Sequence, residues 1–289
     1  MRTLLIVALA AAVLAPAAGA TYPGKDGRLV YSGADDHLHS ILPSGAGQRT
    51  ISTGIDGKPV FSADGRSIAF SRQENGPAGS PRNRIWVASA DGAGAHPVTS
   101  FDSADSTWMA DGQPAWTPDG QLLYIHFVSR YADASCILSQ PAVISAPATT
   151  VLCGGTDIVQ SPLPSPVGKR LAFFRSRPRD GRPGMIFADQ LWLDGAPTSV
   201  LATQGDWSPD GARLLLRELD GSLGVLDVGT NTLTQLGVKA INFTWSPDGS
   251  SIAYIAAGKL SIAAANGSRP RLVAARVSSG GLAWQPLPR

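Results

Sequence analysis

Apolar residues occur along this chain in short runs, each bounded by Gly, Pro, Asp, Asn or Ser. Ile68-Ala69-Phe70 and Ile252-Ala253-Tyr254 are two of them. Runs of this length between turn-forming residues are typical of β-strands, because helices need longer periodic segments. No stretch combines helical periodicity with a capping residue. The pattern therefore predicts an all-β protein.

A turn signature, Trp-Ser-Pro-Asp-Gly, precedes several of these runs. It is intact at residues 207–211 and 245–249 and altered at 116–120 and 61–65. Pro presets the backbone for a tight turn, and Gly accepts the position that strains a side chain. With Gly27 and a degenerate copy at 162–168, the signature glycines are spaced 38, 55, 48, 43 and 38 residues apart. Repeats on this scale predict an array of supersecondary units.

The two ends of the chain carry complementary halves of one repeat. Leu282-Ala283-Trp284 is the front half of a signature, and Asp26-Gly27 with the apolar run after it is the back half. Each complete unit predicts four antiparallel strands. We therefore expect one domain over residues 21–289, a six-bladed β-propeller of four-stranded antiparallel blades, closed by pairing of the N- and C-terminal strands in one blade.

Residues 1–20 are typical of a signal peptide. Arg2 precedes the apolar segment 4–14, and Ala18-Gly19-Ala20 has the small-residue pattern of a cleavage site. The apolar segment is shorter than the roughly 20 residues that span a bilayer, which argues against an uncleaved anchor. We expect a periplasmic or secreted protein that is monomeric and has no transmembrane segment.

Charge and cysteine content narrow the function classes. The formal net charge is +2 at pH 7, which gives no support to nucleic-acid binding through a basic surface.

Cys136 and Cys153 are the two cysteines. An even number in an exported chain favours a structural disulfide, and their positions on the third and fourth strands of one unit would let them face each other.

The repeats at 116–120, 207–211 and 245–249 resemble those of the TolB-type β-propellers, a WD40-like repeat family. The resemblance covers essentially the whole chain after residue 20. It implies an exported bacterial propeller that binds other proteins. The chain begins its propeller directly after residue 20, without the separate α/β domain of the name-giving member. The leading interpretation is a non-catalytic protein-binding or scaffold module in the bacterial cell envelope, with an envelope or secreted protein as partner.

The longer intervals between signature glycines locate insertions, which we expect to emerge on one face of the propeller. Loops on one face of a repeat array are common binding surfaces, and Arg and Trp dominate binding hot spots. Ordinary solvated loops are the competing interpretation. The candidate partner-binding residues are Arg82, Arg84, Asp105, Trp108, Arg130, Arg177 and Arg179.

Catalytic signatures are scarce. The sequence has no Gly-x-Ser-x-Gly, no phosphate-binding Gly-rich loop and no His-Glu-x-x-His, so we assign no catalytic residue, cofactor or metal. Asp35, His37 and His39 are the best metal candidates, and Asp206 and Asn242 are the oxygen-bearing candidates on inner strands. The alternative interpretation is a metal-dependent lactonase or carbohydrate-active lyase with its site at the channel mouth.

Overall fold

The computed structural model describes residues 21–75, 81–100, 110–127, 135–155, 157–176 and 189–289. Within these ranges all regular elements are β-strands, 23 of them, and there is no α-helix. Consequently, no described helix is long and apolar enough to cross a membrane. The prediction of an all-β fold is confirmed.

The strands are short, as the apolar runs predict. Their bounds are β1 Lys25–Gly33, β2 Leu38–Ile41, β3 Arg49–Thr50, β4 Ile55–Phe61, β5 Ser67–Asn75, β6 Pro81–Ser89, β7 His96–Pro97, β8 Ala110–Trp116, β9 Gln121–Phe127, β10 Ser135–Pro141, β11 Thr149–Cys153, β12 Ile158–Pro164, β13 Leu171–Ser176, β14 Gln190–Leu193, β15 Ala196–Trp207, β16 Arg213–Glu218, β17 Ser222–Asp227, β18 Thr232–Lys239, β19 Asn242–Trp245, β20 Ser251–Ala256, β21 Lys259–Ala264, β22 Arg271–Ala275 and β23 Val277–Leu287.

These strands form antiparallel sheets. Four sheets have four strands each, in the orders β23-β1-β2-β3, β4-β5-β6-β7, β11-β10-β9-β8 and β19-β20-β21-β22. The fifth sheet has seven strands, β12 to β18 in sequence order. Its long strand β15 pairs with β14 through Leu201 and with β16 from Ala202 onward. The seven-stranded sheet is thus two four-stranded units that share β15.

The first and last described strands lie side by side. β1 pairs with β23 in the register Leu29↔Trp284, Val30↔Ala283 and Tyr31↔Leu282. Arg28 N also donates to Gln285 Oε1 at 3.3 Å. The split repeat predicts this pairing, because its two halves supply adjacent strands of one sheet.

Buried apolar side chains form six clusters in the described structure, each between neighbouring sheets or units. Trp207 and Trp245, at the repeat position, are completely buried. Burying a ring of that size contributes on the order of 5 kcal/mol of hydrophobic stabilisation before entropy is counted. Followed from sheet to sheet, the clusters lead back to the sheet that holds both β1 and β23.

The turn signature is held by its own side chains. At residues 246–251, Gly249 N donates to Ser246 O at 2.9 Å, and Asp248 Oδ1 accepts from Ser250 N at 2.8 Å. Gly249 has a φ of 73°, a left-handed conformation that strains other residues. This geometry explains why Ser, Asp and Gly recur at fixed positions.

The innermost strands β4, β8, β12, β15, β19 and β23 together line a narrow channel, with cavities of about 130 and 120 Å³ along it. The strands β4, β8 and β12 carry the same kind of β-bulge, at Lys58, Gln113 and Ser161. Each of these residues has a left-handed backbone, with φ of 53°, 53° and 49°. A bulge inserts one extra residue and shifts the register beyond it.

Cys136 and Cys153 form a disulfide, which confirms the predicted bridge. They are paired residues on β10 and β11, so the bridge links neighbouring strands of one sheet. We expect its reduction to lower the free energy of unfolding by about 3 kcal/mol, because the bridge closes a loop with a sequence separation of 17 residues.

Denaturant melts of the oxidised and reduced protein test this expectation. A Cys136→Ser/Cys153→Ser double variant, melted with and without reductant, controls for effects of the reductant itself. Equal midpoints for oxidised and reduced wild type would contradict a stabilising role.

Candidate functional site

A polar cavity of about 460 Å³ lies between β6 of one sheet and β9 and β10 of the next. Its size is within the range of small-molecule sites in proteins. It lies beside the ends of strands that adjoin the long insertions at 76–80, 101–109 and 128–134. Its polar lining includes Arg82, Asn83, Asp111, Tyr124, His126 and Gln140.

The cavity begins where the apolar core between these sheets ends. Leu122, Tyr124 and His126 alternate along β9 and so share one face of the strand. Leu122 and Tyr124 belong to the core cluster that also contains Ile85 of β6. His126, one step further along, lines the cavity instead. The same face of β9 therefore packs in the core at Leu122 and carries a polar side chain into the cavity at His126.

His126 and Asp111 form a close pair at this point. His126 Nδ1 lies 2.8 Å from Asp111 Oδ1, and the Asp111 side chain is only 10 % exposed. The hydrogen bond to Asp111 raises the pKa of His126 above its ordinary value, against the opposing effect of burial. The carboxylate accepts the Nδ1 proton, which leaves Nε2 as the acceptor in the neutral ring. Nε2 has no hydrogen bond to another described residue.

Tyr124 and Gln140 form a fixed wall of the cavity. The Tyr124 hydroxyl donates to Gln140 Oε1 at 2.8 Å, and Gln140 Nε2 donates to Val98 O at 3.2 Å. Burial, with a smaller contribution from the charge of Asp111, raises the pKa of Tyr124. Tyr124 is therefore a neutral hydroxyl at physiological pH.

Two of the predicted partner-binding residues lie in the described structure. Arg82 lines the cavity and is 6 % exposed. Arg84 instead forms a bidentate ion pair with Glu74, at 2.7 and 2.9 Å, and Trp86 Nε1 donates to the same carboxylate at 3.0 Å. The predicted residues that lie outside the described ranges are Asp105, Trp108, Arg130, Arg177 and Arg179.

The candidate metal ligands near the start of the chain have other partners. His39 Nε2 lies 2.9 Å from Asp35 Oδ1, and its Nδ1 lies 3.2 Å from Thr50 Oγ1. His37 Nδ1 lies 3.1 Å from Gly54 O. Across the described ranges, no three His, Cys, Asp or Glu side chains are grouped so that they could hold a metal ion.

The channel candidates also serve the fold. Asp206 Oδ2 accepts hydrogen bonds from Trp245 N at 2.7 Å and from the Thr21 hydroxyl at 2.9 Å. Burial raises the pKa of Asp206 to about 6. Asn242 Nδ2 donates to Ser279 O at 2.6 Å. Because the two side chains face separate partners, they do not form a calcium site.

No protein-family model matches the sequence. No curated protein matches it either. Solved structures do match. An oligogalacturonate lyase from Vibrio parahaemolyticus has a TM-score of 0.53 at 11% identity, over 90% of this chain and 79% of that one. An oligogalacturonate lyase in complex with manganese has a TM-score of 0.52 at 12% identity, over 90% and 85%. The β-propeller domain of Cps50 (Swd1) from Myceliophteria thermophila has a TM-score of 0.52 at 11% identity, over 93% of both chains.

The chain has a β-propeller fold. At these identities the likeness establishes the fold and no activity of this chain. The names of two matched structures correct one prediction. The leading interpretation, a non-catalytic protein-binding or scaffold module, is wrong, because two of the similar structures are lyases and favour the alternative, an enzyme.

Sequence reasoning missed the Asp111–His126 pair. Trp116 of β8 pairs with Leu122 of β9. If the pairing continued from there without a break, Gly112 and not Asp111 would lie opposite His126. The bulge at Gln113 adds one residue and brings Asp111 into that position. The available signal was Gln113-Pro114, since a strand interior rarely accepts Pro except at an edge or a bulge.

Proposed function

We propose that the protein is a carbohydrate-active lyase that cleaves an acidic saccharide in the cavity around His126. The observation that carries this proposal is the Asp111–His126 pair inside a cavity of about 460 Å³ that Arg82 also lines. The lyase names of the similar structures support this reaction class over a lactonase. The site differs from that of the original alternative, which placed it at the channel mouth.

The chemistry is a β-elimination beside a uronate carboxylate. His126 Nε2 takes the proton from C5, the electron pair of the C5–H bond forms the C4=C5 double bond, and the C4–O bond breaks. The imidazolium then returns its proton to the departing oxygen, so no proton is consumed overall. Asp111 stabilises the charged ring through Nδ1. Arg82 places positive charge in the cavity, where it lowers the energy of the carboxylate and the enolate-like transition state.

Manganese, present in one of the similar lyases, does not fit the described residues of this chain. Carboxylate oxygens suit manganese, and Asp111 is the one carboxylate among the described residues that line the cavity, where it is bonded to His126. The steps above therefore use side chains only.

We further propose that the sheets form six blades closed in a ring by β1 and β23. Six core clusters that lead back to their starting sheet support this count. The repeat also supports a TolB-type origin. A periplasmic or secreted location, after loss of residues 1–20, is compatible with the disulfide.

A product assay tests the lyase proposal. Purified protein is incubated with oligogalacturonate, and the conjugated C4=C5 product is followed by ultraviolet absorbance and mass spectrometry. We expect His126→Ala to lower the rate by a factor of about 100 or more, since a general base contributes at least that much. His96→Asn is the matched control, because His96 is not among the residues that line the cavity and its Nδ1 lies 2.9 Å from Gly94 O in its own turn.

Neutral cello-oligosaccharides are the substrate control and should yield no unsaturated product. Folded wild-type protein that forms no such product from any uronate oligosaccharide would contradict the proposal. Equal rates for the wild type and His126→Ala would contradict the assigned base.

A further inference from the structure

Thr21 occupies an unusually enclosed position for a residue at a predicted processing site. It is 1% exposed. Its hydroxyl donates to Asp206 Oδ2 at 2.9 Å and lies 3.0 Å from Thr244 Oγ1. Asp206 and Thr244 both line the inner cavity of the channel. The first described residue is therefore inside the fold.

The next residues hold Thr21 in place. Tyr22 is 2% exposed, and its hydroxyl donates to Thr117 O at 3.0 Å. Gly24 N donates to Pro247 O at 3.0 Å. These contacts reach the turn between β8 and β9 on one side and the turn between β19 and β20 on the other. Residues 21–24 thus connect these two turns through hydrogen bonds, and the connection fixes the position of Thr21.

Asp206 is a buried carboxylate whose hydrogen-bond donors are neutral. They are Trp245 N and the hydroxyls of Thr21 and Thr244. No Lys, Arg or His of the described chain forms an ion pair with it, and burial disfavours its charged form. A buried carboxylate without a cation is unstable relative to one that is paired. A positive charge placed beside Asp206 would therefore stabilise its charged form.

Processing supplies that charge. Hydrolysis of the Ala20-Thr21 peptide bond adds one water, leaves a carboxylate on Ala20 and gives Thr21 an α-ammonium group. Three covalent bonds join this nitrogen to the Thr21 hydroxyl oxygen, so it lies within roughly 7 Å of Asp206 Oδ2 and closer in a suitable rotamer.

We propose that cleavage after Ala20 creates a buried ion pair between the new Thr21 ammonium and Asp206, which locks residues 21–24 into the end of the channel. In the precursor, residue 21 carries an uncharged amide and this ion pair is missing. The mature protein is accordingly more stable than the same fold with any residue left before Thr21.

Four proteins test this proposal in a double-mutant cycle. Two begin at Thr21, produced from a fusion whose protease leaves no extra residue, and carry either Asp206 or Asp206→Asn. The other two retain Gly-Ser before Thr21 in the same two backgrounds. We expect the extension to raise the unfolding equilibrium constant by about tenfold or more with Asp206 and much less with Asp206→Asn. Equal effects in both backgrounds, or none in either, would overturn the proposal.

Amine acylation of the wild type gives a second readout that does not depend on the variants folding. With a limited amount of reagent near neutral pH, the Thr21 amine should stay unmodified in the native protein and become modified after denaturation. The denatured protein is the internal reference, because near neutral pH an exposed α-amine reacts ahead of the more basic Lys side chains. Equal reactivity of the Thr21 amine in the native and denatured protein would also overturn the proposal. So would an exported protein whose first residue, by mass spectrometry, is not Thr21.

Discussion

Gly65→Ala should destabilise the protein by about 3–5 kcal/mol, while the same change at Gly120 should have an effect of only about 1–2 kcal/mol. Both glycines occupy the last position of the turn signature, and both have a left-handed backbone, with φ of 65° and 81°. A Cβ at Gly65 would overlap the carbonyl oxygen of Pro286 in β23, whereas one at Gly120 would meet no atom within 4 Å. The difference in the free energy of unfolding between the two variants therefore measures the cost of the clash with β23.

Urea denaturation of the two variants and the wild type makes this measurement. The backbone strain is common to both substitutions, so Gly120→Ala isolates it. Gln285 Nε2 also donates to Gly65 O at 2.8 Å, and the displaced turn would lose this bond as well. Equal midpoints for the two variants would show that β23 does not reach the turn between β4 and β5.

Asp111→Asn should shift the acidic limb of the lyase pH profile to lower pH and reduce kcat by at least about tenfold on the plateau. Neutral His126 is the base, so the rate rises with pH through the pKa of His126. Asp111 holds that pKa above its ordinary value, and its loss lowers it. The amide also loses the charge that stabilises the imidazolium, which reduces the plateau rate. Rate profiles measured across the pKa of His126, in both proteins, test both effects.

The same pair predicts the pH dependence of stability. Because the pKa of His126 is higher in the folded than in the unfolded protein, the pair stabilises the fold fully below about pH 6.5 and loses this contribution as pH rises through the folded pKa. Asp111→Asn should remove that dependence. His96→Asn is again the control and should leave it unchanged. A profile and a stability curve unaltered by Asp111→Asn would exclude the role assigned to Asp111.

The sequence predicts the position of a strand wherever turn-forming residues flank an apolar run. The residues before the intact signature at 245–249 form β19, and the predicted facing of Cys136 and Cys153 is the observed register. The outer strand β7 is short and ends at Pro97. Val98 N still donates to Ile85 O at 2.8 Å, so its backbone is satisfied without continuing the ladder.

The boundary between two units was harder to predict. Four strands in each unit predict that an outer strand and the next inner strand are separate elements, yet β15 runs without a break from Ala196 to Trp207. Nothing in that segment forces a turn, and its change of partner at Leu201 and Ala202 depends on which strands lie beside it. Such a change is a tertiary effect that local residue preferences do not encode.

The candidate site was the least predictable part. His126 has no sequence neighbour that indicates a carboxylate partner, and Asp111 is 15 residues away on another strand. Their contact depends on the register of β8 and β9, which the bulge at Gln113 sets. Five of the seven predicted surface residues lie in insertions outside the described ranges, and Arg82 is the one that the structure places at the cavity.

The bulges at Lys58, Gln113 and Ser161 each divide a strand into two parts whose alternation differs by one residue. Buried side chains continue beyond the bulge, as at Val159, so both parts pack in the interior. The extra residue therefore selects which set of side chains enters the space between neighbouring sheets. Without it at Gln113, the same strand would place a glycine opposite His126, and the cavity would have no carboxylate there.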